Sequence, residues 1–135
     1  MSDFPITIFH NPDCGTSRNV LAAIMVQGHA PLVVLYREVG WTQARLRELL
    51  ARMGGSARTI LREKEAAADS LGLLDPGVTD DALIAAMVAN PILVNRPIVE
   101  TPLGVILARP SERVFEVLER RPASFTKEDG EVVVL

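Results

Sequence analysis

The first third of the chain alternates between short apolar runs and one helical stripe. Residues 5–10 and 32–36 are apolar and rich in β-branched side chains, which predicts two buried strands. Between them, residues 16–27 carry apolar side chains at helical spacing, and Gly28 offers a stop. The expected buried stripe of this helix is Val20, Leu21, Ile24 and Met25. The order predicts a βαβ unit with parallel strands and a right-handed crossover.

The middle of the chain predicts helices. Thr42 is a suitable N-cap for a leucine-rich helix that Gly54 ends, and residues 56–70 predict one or two short helices. Thr79 caps a further helix, which has two aspartates in its first turn and stops at Asn90. The expected buried positions are Leu46, Leu49, Leu50 and Met53 in the first helix, and Leu83, Ile84, Met87 and Val88 in the last.

The last third predicts a hairpin followed by a helix. Residues 92–100 are extended in pattern, residues 101–104 form a turn, and residues 105–108 form the returning strand. Pro110 opens a final helix whose inward side chains are Val114, Phe115 and Leu118. The pattern of residues after Pro122 assigns no element.

The summed order, βαβ, helical insert and ββα, predicts an α/β fold. It fits a small mixed sheet with helices on both faces, which is the thioredoxin-like arrangement with a helical insert in its middle. An unrelated α/β sandwich would produce a similar order. We expect residues 1–135 to form a single domain, because this length is typical of one domain and 48% of the residues are hydrophobic.

Composition narrows the classes of partner and compartment. The net charge of −3 does not favour binding to nucleic acid or to an anionic membrane. No apolar run approaches the roughly 20 residues that span a bilayer, and the N-terminus lacks the features of a secretory signal. Because a single free cysteine is kept most easily in a reducing compartment, we expect a cytoplasmic protein.

The only cysteine, Cys14, lies just before the predicted helix that begins near Thr16. Backbone N–H groups and the helix dipole favour a thiolate there, and the same donors can hold an oxyanion. His10 and Arg18 are close enough in sequence to add positive charge. The alternative is a buried structural cysteine, which is common in cytosolic proteins. The polar, glycine-containing flanks favour the reactive cysteine.

The chain offers no second thiol to Cys14. Ser17 stands where a C-x-x-C motif has its second cysteine, so a redox reaction would need an external thiol. Twelve of the 14 basic residues are arginines, whose planar guanidinium groups suit oxyanions. Most of these arginines are explained by base composition. Arg96 and Arg109 differ, because each precedes a proline and they stand at the two ends of the predicted hairpin.

At this point the sequence resembles the glutaredoxin-coupled, glutathione-dependent arsenate reductases of bacteria. Seven segments occur in the order typical of that family, and the resemblance extends over nearly the whole chain, from about Ile6 to Val132. They are residues 10–19 (HNPDCGTSRN), 61–64 (LREK), 79–81 (TDD), 90–99 (NPILVNRPIV), 101–104 (TPLG), 109–112 (RPSE) and 125–130 (FTKEDG).

The resemblance implies a thioredoxin-like fold and reduction of arsenate to arsenite. It also implies that Pro97 follows a cis peptide bond and faces the cysteine. No tightly bound cofactor is expected, and the implied partners are arsenate, glutathione as co-substrate and glutaredoxin. The implied site residues are Cys14 as the nucleophile, His10 as the histidine that assists it, and Arg62, Arg96 and Arg109 as oxyanion-binding arginines.

Two alternative functions use the same fold. Related thioredoxin-like proteins regulate transcription by contacting RNA polymerase, but they typically use a C-x-x-C switch that Ser17 removes here. A glutathione-dependent reductase of protein mixed disulfides would need only Cys14. Neither alternative has an evident need for three arginines at one site. Oxyanion binding therefore distinguishes arsenate reduction from both.

Overall fold

The computed structural model describes residues 3–135, which form two compact units. The first contains residues 3–35 and 96–135, and the second is Tyr36–Asn95. Elements of the first unit are β1 (Thr7–Phe9), α1 (Gly15–Val26), β2 (Leu32–Val34), β3 (Ile98–Thr101), β4 (Gly104–Leu107), a 3₁₀ helix (Ser111–Val117), β5 (Ser124–Thr126) and β6 (Val132–Val134). Elements of the second are α2 (Tyr36–Val39), α3 (Gln43–Met53), a 3₁₀ helix (Ala57–Ile60), α4 (Ala66–Ser70), α5 (Asp80–Ala89) and a 3₁₀ helix (Pro91–Leu93).

The first unit is organised around a mixed four-stranded sheet with the strand order β2-β1-β3-β4. Strands β1 and β2 are parallel, as predicted for the βαβ unit, while β3 is antiparallel to both β1 and β4. The predicted hairpin is confirmed, with Ile98 opposite Leu107 at its open end and Thr101 opposite Gly104 at its turn. This register brings the residues on either side of the hairpin to one end of the sheet.

Helix α1 buries most of the stripe that its pattern predicted, because Val20 and Ile24 are buried and Leu21 packs partly buried against the same core. Val20, Ala23 and Ile24 are buried in the core of the first unit, together with strand residues such as Ile8 and Val99. Met25, which we expected in the stripe, is 58% exposed, so this part of the prediction was wrong. The buried positions are spaced three and four residues apart, and Met25 lies about 100° around the helix from Ile24.

A second sheet in the first unit was not predicted. It is the antiparallel hairpin β5–β6, in which Phe125 pairs with Val133. Both strands are three residues long and mostly exposed, so the apolar alternation that marks a half-buried strand is too short to read from sequence. Phe125 packs edge-on against Phe115 at a ring-centre distance of 5.6 Å.

The second unit contains the predicted helical middle. Thr42 and Thr79 cap α3 and α5 by accepting hydrogen bonds from the backbone N–H groups of Arg45 and Ala82. Gly54 ends α3 in the left-handed conformation at a φ of +75°. The buried side chains include Leu46, Leu49, Leu50, Leu83, Ile84 and Met87, as predicted.

Three apolar segments differ from their predicted elements. Tyr36 begins α2 and does not end the second strand. Pro91–Leu93 forms a 3₁₀ turn before β3, because proline at the first helical position presets the required φ. The last predicted helix is the 3₁₀ helix Ser111–Val117. Short apolar runs are compatible with strand or helix, so tertiary packing decides between them.

Among residues 3–135, no helix has both the length and the apolar character needed to cross a lipid bilayer.

Candidate active site

The cysteine occupies the position that the sequence predicted, at the start of α1. Cys14 is the N-cap residue of the helix and has extended backbone angles. A tight turn precedes it: the N–H of Cys14 donates to the Asn11 carbonyl oxygen over 3.1 Å, and the N–H of Asp13 donates to Asn11 Oδ1 over 3.0 Å. The Cys14 side chain is partly exposed, so the thiol is held by its backbone yet open to a reactant.

The surroundings of Cys14 favour its thiolate. Burial, the largest single effect, raises the pKa of the thiol, but three hydrogen-bond donors together lower it below its ordinary value. These donors are the backbone N–H of Ser17 and the side chains of Arg96 and Arg109. Arg109 Nη1 lies 3.7 Å from Cys14 Sγ. The nucleophilic form is therefore stabilised before any substrate binds.

Both hairpin arginines lie at the same end of the sheet, as predicted. Arg96 precedes β3 by two residues and Arg109 follows β4 by two. Arg109 Nη1 donates to the Arg96 carbonyl oxygen over 3.0 Å, which joins the two positions directly. The peptide bond before Pro97 is cis, as the resemblance implied, and the bond before Pro110 is also cis, which was not predicted. The Arg96 residue is 8% exposed, so its charge is largely withdrawn from bulk water.

His10 lies directly after β1 and is buried. Its backbone N–H donates to the Val34 carbonyl oxygen over 2.8 Å, and its Nδ1 lies 2.6 Å from Ser17 Oγ. Burial, followed by the nearby Arg18 charge, lowers the pKa of the imidazole below 6.5. A lowered pKa disfavours the positively charged ring that we expected beside Cys14.

Arg18 is held by an acidic partner. Its Nε and Nη2 atoms donate to the two carboxylate oxygens of Glu128 over 3.0 and 2.7 Å, and Nη1 donates to the Pro12 carbonyl oxygen over 2.8 Å. This bidentate pair balances the positive charge that we expected Arg18 to supply to the thiol. The partners are 110 residues apart in sequence, so the pattern around Cys14 did not indicate the pairing.

Arg62 belongs to the second unit, whereas His10, Cys14, Arg96 and Arg109 all belong to the first. It follows the 3₁₀ helix Ala57–Ile60, and its backbone N–H donates to the Leu93 carbonyl oxygen over 2.8 Å. Its Nε donates to Glu65 Oε1 over 3.1 Å, and its Nη1 to Asn95 Oδ1 over 3.4 Å. The role of Arg62 in oxyanion binding stays a prediction from the resemblance.

Ser17 is the contributor to this site that sequence reasoning missed. From sequence, Ser17 only indicates that a second cysteine is absent. In the structure its side chain is completely buried and contacts both His10 and the backbone of Asn11. Helical spacing held a usable signal, because residue 17 lies about one turn before the buried Val20 and about two turns before the buried Ile24.

Comparison with known proteins finds a family model that includes His10, Cys14, Arg96 and Arg109. It also finds relatives that align over almost the whole chain. The model of the ArsC family matches residues 9–117. An arsenate reductase of Escherichia coli is 52% identical over 130 residues, which cover 96% of this chain and 92% of that protein. The arsenate reductase ArsI1 of a Synechocystis strain is 49% identical over 135 residues, covering 99% of this chain and 94% of the relative.

The fold is likewise similar to solved structures. The structure of an arsenate reductase from Vibrio cholerae aligns with a TM-score of 0.82 at 38% sequence identity. The alignment covers 87% of this chain and all of that one.

Proposed function

Because the chain belongs to the ArsC family, whose fold is thioredoxin-like, we propose that it reduces arsenate to arsenite through the thiol of Cys14. The observation that carries this proposal is the contact between the thiol of the N-cap residue of α1 and a guanidinium group, with Cys14 Sγ 3.7 Å from Arg109 Nη1. A lowered thiol pKa and a second arginine, Arg96, support it. Family membership favours neither the regulator nor the protein thiol reductase.

In the first step, the Cys14 thiolate attacks the arsenic atom. A sulfur–arsenic bond forms, an arsenic–oxygen bond breaks, and the oxygen leaves as hydroxide or water. Two anions must meet in this step, so a cationic environment lowers the barrier. Arg96 and Arg109 supply that environment, and their planar donors suit the oxygens of arsenate. The N–H groups of the first turn of α1 add further donors.

In the second step, an external thiol completes the two-electron transfer. The chain contains one cysteine, so it cannot form an internal disulfide. We propose that glutathione attacks the thiol–arsenate adduct and that glutaredoxin resolves the mixed species that results. The thiols of glutathione and glutaredoxin are thereby oxidised to a mixed disulfide, and arsenic gains two electrons. Water then cleaves the bond between arsenic and the Cys14 sulfur, which releases arsenite and regenerates the Cys14 thiol.

The resemblance adds Arg62 to the oxyanion-binding arginines. We propose that it contributes positive charge when arsenate is bound, and Arg62→Ala tests this directly. The expected result is a raised KM for arsenate, while the reaction of Cys14 with iodoacetamide in the absence of arsenate stays unchanged. An unchanged KM would remove Arg62 from the site.

The function is tested by arsenate-dependent oxidation of NADPH in the presence of glutathione, glutathione reductase and glutaredoxin. The expected signal requires all three components and disappears in Cys14→Ser. Thermal unfolding of the variant should match that of the wild type, which shows that the fold survives. Arsenate reduction by folded Cys14→Ser, or none by folded wild-type protein, would overturn the proposal.

A further inference from the structure

The hydroxyl of Ser17 has two partners, both on the other side of the loop that carries Cys14. Ser17 Oγ lies 2.6 Å from His10 Nδ1 and accepts the backbone N–H of Asn11 over 3.1 Å. Ser17 is completely buried, so bulk water does not reach the hydroxyl. Across residues 3–135, the structure gives this oxygen no third hydrogen-bond partner.

These two contacts decide where the protons lie. A serine hydroxyl carries one proton and two acceptor positions. Asn11 occupies one acceptor position, which leaves His10 Nδ1 as the acceptor for the single hydroxyl proton. Nδ1 must then be unprotonated, and the ring proton lies on Nε2. A protonated Nδ1 would leave the buried hydroxyl proton without an acceptor, and an unsatisfied buried donor is unfavourable.

We propose that Ser17 is a positioning residue of the reaction, which holds His10 as the neutral tautomer protonated at Nε2 and closes the loop that carries Cys14. Ser17 lies in the first turn of α1, after Cys14, and its hydroxyl fixes residues 10 and 11, which precede Cys14. One residue therefore ties both sides of the nucleophile's turn. His10 acts as a hydrogen-bond donor through Nε2 and adds no charge to the thiolate.

A purely structural serine would behave differently, and Thr101 offers the matched comparison. Thr101 is also buried, accepts the backbone N–H of Leu103 over 3.1 Å and donates to the Val117 carbonyl oxygen over 2.6 Å. It lies at the turn end of β3, whereas Arg96 lies beyond the other end of that strand. Thr101→Val removes an equivalent buried hydroxyl without changing the surroundings of His10.

The tautomer is measured by nitrogen-15 NMR of the histidine rings in the wild-type protein near pH 7. His29→Gln assigns the signals, because the chain has two histidines. The expected spectrum shows His10 with an unprotonated Nδ1 that accepts a hydrogen bond and a protonated Nε2. A spectrum with Nδ1 protonated, as either the other tautomer or an imidazolium, would overturn the proposal. This NMR measurement of the His10 tautomer needs no substitution at position 17.

The positioning role, which rests on the proposed arsenate reduction, is measured with Ser17→Ala. We expect mixed His10 tautomers and a fall in kcat of about tenfold, the equivalent of one lost hydrogen bond, with a nearly unchanged KM for arsenate. Thr101→Val should keep both the wild-type tautomer and the wild-type kcat. Wild-type kcat in folded Ser17→Ala, or an equal loss in both variants, would contradict the role. If wild-type protein shows no arsenate reduction in the coupled assay, the proposed function is overturned. The NMR spectrum of His10 still shows whether Ser17 holds the ring in the expected tautomer.

Discussion

The Cys14 sulfur is the atom on which the proposed chemistry depends, and its ionisation reflects a balance between burial and neighbouring donors. Burial raises the pKa of the thiol, but the combined effect of the Ser17 N–H, Arg96 and Arg109 is larger and lowers it below its ordinary value. The thiolate is therefore stabilised before arsenate arrives. Burial, followed by the nearby Arg18 charge, lowers the pKa of His10. Removing one donor should shift the balance measurably toward the thiol.

Arg109→Ala is expected to raise the pKa of Cys14, because it removes the guanidinium 3.7 Å from the sulfur. The thiolate is the form that reacts with iodoacetamide, so the alkylation rate should rise with pH through the thiol pKa, and this rise should occur at higher pH in the variant. Arg113→Ala is the control, since Arg113 is an exposed arginine paired with Glu116. Identical profiles for Arg109→Ala and the wild type would contradict the assignment.

The kinetic roles of the two hairpin arginines form a separate prediction. Arg96→Ala and Arg109→Ala should each lower kcat/KM for arsenate by about a hundredfold, the cost typical of one lost donor to a transition-state oxyanion. The measurement is steady-state arsenate reduction in the glutathione and glutaredoxin assay. If both variants kept wild-type kinetics, the arginines would have no place in the mechanism.

At the scale of elements, α1 links the core to the site. Its N-terminal residue presents the thiol, while Val20, Ala23 and Ile24 anchor the helix in the core of the first unit. The hairpin β5–β6 is joined to the same helix, because Glu128 pairs with Arg18 and the Glu128 N–H donates to Asn19 Oδ1 over 2.9 Å. This exposed ion pair contributes less to stability than the buried face does.

Ile24→Ala and Met25→Ala compare two neighbouring positions on α1. Ile24 is completely buried, so its truncation leaves a cavity and should lower the free energy of unfolding by about 2–5 kcal/mol. Met25 is 58% exposed, and its truncation should change stability by about 0.5 kcal/mol or less. Urea unfolding of both variants measures the difference. Equal losses would show that the buried face of α1 has been misidentified.

At the scale of the whole molecule, the charge of the chain opposes its proposed substrate. The net charge is −3, so long-range steering does not favour an anion. Binding must then arise from local donors, and ions in solution screen the unfavourable field beyond about 10 Å at 0.1 M salt. Oxyanion affinity should therefore depend on individual arginines more than on the overall charge.

Sulfate and arsenate are expected to stabilise the Cys14→Ser protein against thermal unfolding. A ligand that binds only the folded state stabilises it by about 2.7 kcal/mol at 100 times its Kd. Chloride at the same ionic strength is the control for general salt effects. The stabilisation should be much smaller when Arg96→Ala or Arg109→Ala is added to Cys14→Ser. Equal stabilisation by chloride would mean that the site does not select oxyanions.

Features encoded by neighbouring residues were predicted correctly. The N-caps Thr42 and Thr79, the helix that starts after Cys14 and the hairpin between Arg96 and Arg109 depend on contacts within a few positions. Helical spacing and capping chemistry are local, so they are visible in the sequence. The family resemblance was confirmed because it rests on an ordered set of such segments.

Tertiary structure decided the features that join distant parts of the chain. Residues 18 and 128 meet although 110 positions separate them, and packing against the sheet placed Ala23 inside and Met25 outside. The short strands β5 and β6 are defined by pairing with each other, which no single segment encodes. The sequence by itself indicated the thiol, the histidine and the arginines of the predicted site, but not the Ser17 hydroxyl. Only the folded chain decided that Ser17 meets His10 and that Arg109 meets Cys14, because those contacts depend on how separate elements pack.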